Sequence, residues 1–203
     1  IYVPSVNPDA ALNTGDHEAL AAIRARTGRI LAAPTMVEIL GRADLRTAVV
    51  SAGSPGSAVI QGDAPRHFMV NVRGVVRPAA AERAILDRYG PFPANSIPAT
   101  ARNDRAVDIL LGEILPGDYA LMILWLSDPD TTQHVEGLGS APALQAIREC
   151  DQRLQRILAA IERQGAGDDI DIFVGSDHGF STILQRGDVV ADLRADGFPV
   201  ERI

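Results

Sequence analysis

A chain of 203 residues is long enough for one sizeable hydrophobic core and too short for two ordinary ones, so a single domain is the expectation. Apolar residues make up 46% and charged residues 22%, which excludes the composition of a disordered chain. The net charge is −7, all 19 basic residues are Arg, and none of them cluster into a stripe, which argues against docking to nucleic acid.

A small phosphorylated substrate stays compatible with this balance, because a bound metal ion supplies positive charge that the sequence total does not record. Arg-only usage points to GC-rich, bacterial coding and carries no mechanism. The one cysteine, Cys150, lies in a helical apolar stripe and reads as a packing thiol. The longest apolar run, Tyr119 to Leu126, is far shorter than the roughly 20 residues that span a bilayer. The chain opens on Ile1 without an initiator Met, so it reads as an internal piece of a longer protein whose location and oligomeric state are not encoded here.

In chain order, Asp16 is placed to cap a helix carrying Leu20, Ala21 and Ile23. Thr35 and Glu38 form a Thr-x-x-Glu capping box before Ile39 and Leu40, with Gly41 placed to end that helix. Thr47 to Ser51 reads as a buried strand running into Gly53-Ser54-Pro55-Gly56-Ser57. That loop lacks the Gly-Lys-Ser/Thr end of a P-loop and the full dinucleotide fingerprint, so it reads as a turn and not a phosphate cradle. Phe68 to Val72 is a further strand, Ala79 to Asp87 a helix, and Gly90 to Thr100 a proline-stiffened loop.

The second half is more regular. Val107, Leu110, Leu111 and Ile114 recur at helical spacing, and Tyr119 to Trp125 is apolar throughout, as in a parallel strand buried on both faces. An amphipathic helix over Ala141 to Arg163 follows, with Leu144, Ile147, Leu154, Ile157, Leu158 and Ile161 as its apolar side. Ile170 to Val174 then reads as a second buried strand. Strand, helix and strand make a βαβ unit with both strands parallel.

Two polar clusters follow the two strands: Ser127-Asp128-Pro129-Asp130-Thr131-Thr132-Gln133-His134 and Gly175-Ser176-Asp177-His178-Gly179. Strand carboxyl ends are where open α/β sheets bind ligands, so this topology brings both clusters to one rim. Carboxylate oxygen and imidazole nitrogen suit zinc and related divalent ions. Asp130 and His134 stand one helical turn apart, and a sharp turn at Gly179 would let the adjacent Asp177 and His178 face one ion.

The passage from Leu124 to Ser181 resembles the type I phosphodiesterase/nucleotide pyrophosphatase family of the alkaline phosphatase superfamily. That family's pattern is a strand, Pro-Asp-x-x-x-His-x-x-Gly, a helix with an internal Asp, and Ser-Asp-His-Gly. The stretches at Ala33-Pro34-Thr35 and Thr47 to Ala58 resemble it more loosely. The resemblance implies a three-layer α/β/α fold with a mostly parallel sheet, incomplete at both ends, so that residues 1–203 form a single partial catalytic domain. It implies two divalent ions, zinc foremost with manganese open, one held by Asp130 and His134 and the other by Asp177 and His178. Asp151 falls on the internal helix Asp.

By the same resemblance, the parent protein hydrolyses phosphodiester or pyrophosphate bonds of nucleotide-type substrates through a covalent phospho-enzyme. The family's Thr or Ser nucleophile, the Asp and Asn near it, and a later His ligand have no counterpart among these residues. Thr131 and Thr132 occupy spacer positions, and His17 and His67 read as surface or packing residues. No catalytic nucleophile is therefore assigned, and the isolated 203 residues are expected to be inactive. A phosphomonoesterase, a phosphonoacetate-type hydrolase or a mutase of the same superfamily is the alternative, and a non-catalytic α/β module is the alternative from another class.

Overall fold

The computed structural model describes residues 1–62, 67–185 and 187–200. A four-stranded sheet is built from β1 (Thr47–Ser51), β2 (His67–Asn71), β3 (Val75–Arg77) and β4 (Leu121–Trp125), in the order β3-β2-β1-β4. β1 lies between two parallel neighbours, with Thr47 level with both His67 and Leu121, and Ser51 level with both Asn71 and Trp125. β3 is antiparallel to β2 through a tight turn at Gly74, whose φ of 107° suits glycine. The carboxyl ends of β1, β2 and β4 therefore share one rim.

All five residues of β1 are buried, the apolar Ala48-Val49-Val50 centre flanked by Thr47 and Ser51, as befits a central parallel strand. Its two faces feed two cores. Ala48 and Val50, with Val70 and Val72, pack against Ile85, Ala106, Ile109 and Ile114. Val49 and Met69, on the opposite face, pack against Leu20, Ile23, Ala58 and Val59. One layer is formed by α1 (His17–Thr27) and α3 (Pro55–Gly62), and the other by α4 (Glu82–Tyr89) and α5 (Thr100–Ile109), with α2 (Met36–Arg42) beside the first. This is a three-layer α/β/α arrangement with a mostly parallel sheet. Each fully buried Val of β1 contributes on the order of 1.5–3 kcal/mol by leaving water, which makes this strand the anchor of the rim.

Local signals shape the helices. Asp16 accepts the Glu18 N–H at 2.9 Å to start α1, and Thr35 and Glu38 form the reciprocal capping box of α2. Gly41 lies inside α2 instead of ending it, and the chain turns out through Ala43 and Asp44, the latter at φ 61°. Of the Gly53 to Ser57 stretch, read as a turn, only Gly53 and Ser54 turn: Pro55, Gly56 and Ser57 form the first turn of α3, since Pro is suited to a helix start. Gly53 is held close to Trp125, where an added Cβ would lie 2.9 Å from the indole, and the Gly56 N–H donates to the Gly15 carbonyl at 2.9 Å.

α5 runs on into one π-helical turn at Leu110–Ile114, then β4, α6 (Asp130–Glu136) and α7 (Ala141–Arg163) follow. α7 has the predicted bounds, with Ser140 accepting the Ala143 N–H at its start. Its docked side matches the predicted one only in part: Ile161 is buried, Ile157 packs against the core and Leu154 is half-buried, as expected of that stripe. Ala143, Ala146, Arg153, Ala160 and Ile161 are buried, whereas Leu144, Ile147 and Leu158 are exposed. The reason lies in β4, which is half-buried along its whole length and, among the described residues, pairs only with β1. Ile170 to Val174, predicted as a second buried strand, is not a strand: Phe173 is 93% and Val174 76% exposed, and only Ile170 touches a core, beside Leu115 and Ile161. With nothing paired on the outer edge of β4 among the described residues, the neighbouring stripe of α7 has nothing to cover it. The final helix, α8 (Val189–Ala195), is capped by Asp188 and buries no residue. Among the described residues no helix is long and apolar enough to cross a membrane.

Candidate metal centre

The rim is tied together by backbone and amide hydrogen bonds. The Ala52 N–H donates to the Trp125 carbonyl at 2.8 Å, the Val72 N–H to the Ser51 carbonyl at 2.9 Å, and the buried Asn71 amide to the Gly53 carbonyl at 3.0 Å. β4 ends at Trp125, and five residues later Asp130 opens α6. Asp130 and His134, one turn apart, face the same side, with Oδ1 of Asp130 3.4 Å from Nε2 of His134.

The second cluster arrives without the strand that was to carry it. It lies on an exposed loop, yet His178 Nε2 stands 3.6 Å from Asp130 Oδ1 and 3.7 Å from Asp177 Oδ2. All four predicted site residues are thus brought together, with Asp130 between the two imidazoles. The Ser176 hydroxyl donates to the His178 carbonyl at 2.6 Å and closes this turn. Nδ1 of His178 lies 2.8 Å from the Gly179 carbonyl, an acceptor to which Nδ1 donates, and this fixes the ring with Nε2 toward the two carboxylates. That bond first, then the Asp177 and Asp130 charges, raises the His178 pKa above the ordinary imidazole value.

Asp130 Oδ1 is buried and has no hydrogen-bond partner. A buried carboxylate oxygen without a donor is costly unless something positive faces it. Two donors bound to a tetrahedral zinc at about 2.0–2.1 Å stand roughly 3.3–3.4 Å apart, close to the 3.4 Å between Asp130 and His134. The donor set of two carboxylates and two imidazoles fits divalent ions of the zinc type. Among the described residues, no group of three or more His, Cys, Asp or Glu is arranged to hold one ion. The residues fit as pairs, and a complete coordination shell needs further ligands.

Other side chains at this centre carry no motif. Phe180 sets its ring edge-on to His134, centroids 4.8 Å apart, and lies 6.2 Å from His178. Asp128 is 3% exposed and accepts four hydrogen bonds. Its spacing to Thr132 equals that of Asp130 to His134, which is the one sequence signal for it. Thr132 is wholly buried and Thr131 donates to the Ser127 carbonyl at 2.8 Å, so both spacer threonines are engaged in structure. The Cys150 thiol donates to the Asp128 carbonyl at 3.2 Å, and burial raises its pKa, which suits a packing thiol. Asp151 faces solvent and accepts from Gln155 at 2.9 Å. His67 is buried against Thr47, 2.7 Å away, and His17 is half-exposed beside Asp16, both far along the chain from the centre.

A mostly parallel sheet between helical layers, with acidic and imidazole side chains gathered beyond a strand's carboxyl end, defines an alkaline-phosphatase-like α/β protein. The profile of the type I phosphodiesterase/nucleotide pyrophosphatase family matches residues 1–195, and the chain belongs to that family. It is similar to ectonucleotide pyrophosphatase/phosphodiesterase family member 7 of mouse, 27% identical over 80 residues that span 39% of this chain and 18% of the mouse protein. The human protein of the same name is 28% identical over 85 residues, 41% of this chain and 19% of its own length. No solved structure gives a significant match.

Proposed function

We propose that this chain supplies part of the catalytic domain of a metal-dependent hydrolase that cleaves phosphodiester or pyrophosphate bonds of nucleotide-type substrates. The observation that carries the reading is the buried Oδ1 of Asp130, which accepts no hydrogen bond, set 3.4 Å from His134 Nε2 and 3.6 Å from His178 Nε2. Family membership and the names of the relatives favour a diester or pyrophosphate over a monoester.

Asp130 with His134 would hold one divalent ion and Asp177 with His178 a second, zinc being the best fit to these donors. Such ions supply Lewis acidity to a phosphoryl oxygen and lower the pKa of a hydroxyl nucleophile. The chain's own part is to orient. The Gly179 carbonyl fixes the ring of His178, Phe180 limits the rotation of His134, and the rigid start of α6 sets the direction of Asp130. Two protein ligands per ion are fewer than a catalytic zinc site ordinarily has, so the reading includes a nucleophile and further ligands from outside these residues, and a covalent phospho-enzyme formed on that nucleophile.

The test is hydrolysis of bis(p-nitrophenyl) phosphate and of p-nitrophenyl phosphate by the full-length protein, before and after chelation and with zinc or manganese returned. Faster hydrolysis of the diester, lost on chelation and restored by metal, is expected. A chelated, metal-free protein that still cleaves the diester at its original rate overturns the proposal. A preference for the monoester would move it to the phosphomonoesterase alternative.

A further inference from the structure

We propose that Asn103 and Asp128 are positioning residues that hold the Asp130–His134 helix in the rotation needed to bind metal; this inference rests on the metal reading above. α6 has only seven residues, and Pro129 at its start offers no side-chain cap. A helix this short does not hold itself in water, so its orientation must be imposed from outside. The residue that imposes it is Asp128. Its Oδ1 accepts from the Thr132 N–H at 3.2 Å and the Thr132 hydroxyl at 2.8 Å, which caps the first turn from one position upstream. Its Oδ2 accepts from the Ala99 N–H at 2.8 Å and the Asn103 amide at 3.3 Å, which ties that turn to the start of α5.

Asn103 completes the clamp. It is wholly buried, and its Oδ1 accepts from the Ser127 N–H at 3.0 Å and the Ser127 hydroxyl at 3.4 Å while its Nδ2 donates to Asp128. One amide therefore grips both residues of the Ser127-Asp128 link between β4 and α6. All four hydrogen-bond donors to Asp128 are uncharged, and the Arg102 charge acts on it without a hydrogen bond, so burying this carboxylate is a poor way to gain stability. Its use is directional. Slippage of α6 by one residue would turn Asp130 and His134 about 100° around the helix axis and away from His178. Asp130 has no hydrogen bond at Oδ1 to hold it, so the clamp two residues upstream carries the alignment.

The experiment measures cobalt(II) and zinc binding to the full-length protein by competition and by the visible spectrum of the cobalt form. It compares Asn103→Leu, Thr132→Val and Thr132→Ser with Asp130→Ala as the reference, and follows the thermal unfolding of each chelated variant. Expected are a roughly 10–100-fold loss of metal affinity and an altered cobalt spectrum for Asn103→Leu. A smaller loss is expected for Thr132→Val, and near-parental behaviour for Thr132→Ser, which restores the hydroxyl. Should Asn103→Leu fail to fold, the Thr132→Val and Thr132→Ser pair decides alone. Parental affinity and spectrum in Thr132→Val and in any folded Asn103→Leu, with Asp130→Ala impaired, would leave the clamp a structural tie and overturn this proposal. Parental binding by Asp130→Ala would overturn the metal reading itself, and the clamp with it.

Discussion

Nε2 of His178 stands 3.6 Å from Oδ1 of Asp130, although α6, α7 and an extended loop separate them along the chain. Asp130 thus sits between two imidazoles, while Asp177 has only one. The pairing by motif assigns one Asp-His couple to each proposed ion; Asp130 Oδ1 is the oxygen that lies near both imidazoles. On the proposed two-ion reading, Asp130→Ala is therefore expected to lower metal content at both sites and Asp177→Ala at one, by more than the roughly 10–100-fold affinity loss that follows removal of a group behind a ligand. Metal stoichiometry of the full-length variants by elemental mass spectrometry checks this. An Asp130→Ala protein that keeps one full equivalent of zinc contradicts the shared role.

Phe180 adds an edge-to-face contact to the His134 ring, an arrangement worth about 0.5–1.5 kcal/mol beyond area burial. If that contact restricts the imidazole to its metal-facing rotamer, Phe180→Ala weakens metal binding by about 2- to 12-fold. Since Phe180 lies on the loop and not in a core cluster, the unfolding midpoint of the chelated protein should barely move. A large drop in that midpoint with unchanged affinity would instead assign Phe180 to packing.

What could be read from the sequence divides along a physical line. The capping box at Thr35 and Glu38, the bounds of α7 and the buried β1 depend on neighbours within a few residues, and local pattern carries them. So did the Asp130–His134 pair, one helical turn apart. The Ile170 to Val174 run was apolar enough for a strand, but a strand exists only through hydrogen bonds to a neighbour, and apolar pattern does not encode that pairing: among the described residues the outer edge of β4 stays unpaired. Helical periodicity finds the apolar stripe of α7 but not what covers it: Ile157 and Ile161 meet the core while Leu144, Ile147 and Leu158 are exposed. Asn103 was illegible for a different reason: it works through a contact with Ser127 and Asp128 across the fold, and a single Asn in a helix has no motif.

Tyr89 offers a pH-dependent test away from the metal centre. Its hydroxyl donates to Glu113 at 3.0 Å, and burial first, then that hydrogen bond and the Glu113 charge, pushes its pKa up to about 12 from 10.0. The folded state therefore holds the phenolic proton more tightly than the unfolded chain does. Its contribution is complete below pH 10 and is lost as pH rises from about 10 to about 12. Tyr89→Phe should remove this alkaline slope and cost about 0.5–1.5 kcal/mol near neutrality, the ordinary worth of one hydrogen bond. Denaturant unfolding across the alkaline range reads both quantities, and an unchanged slope in the variant would rule out Tyr89 as its source.

The capping box of α2 makes the opposite pH prediction. The Thr35 N–H donates to Glu38 at 2.6 Å, and the Glu38 N–H donates to the Thr35 hydroxyl at 3.1 Å. The hydrogen bond from the Thr35 backbone is the largest cause of a Glu38 pKa lowered from 4.5, outweighing the partial burial that opposes it. A carboxylate with a depressed folded pKa contributes stability that is present above the unfolded value of 4.5 and fades as pH falls through the folded one. Thr35→Ala removes a hydroxyl cap and is expected to cost about 1 kcal/mol at neutral pH. Glu38→Gln keeps an acceptor for the Thr35 N–H but no charge, so it should lose less at neutral pH and flatten the acid limb of the stability curve. Val37, 1% exposed on this helix, couples the cap to the core, so thermal unfolding as a function of pH will register both substitutions. A Glu38→Gln variant with the parental acid dependence would show that the box acts through hydrogen bonding alone, and that the charge of Glu38 adds nothing to the folded state.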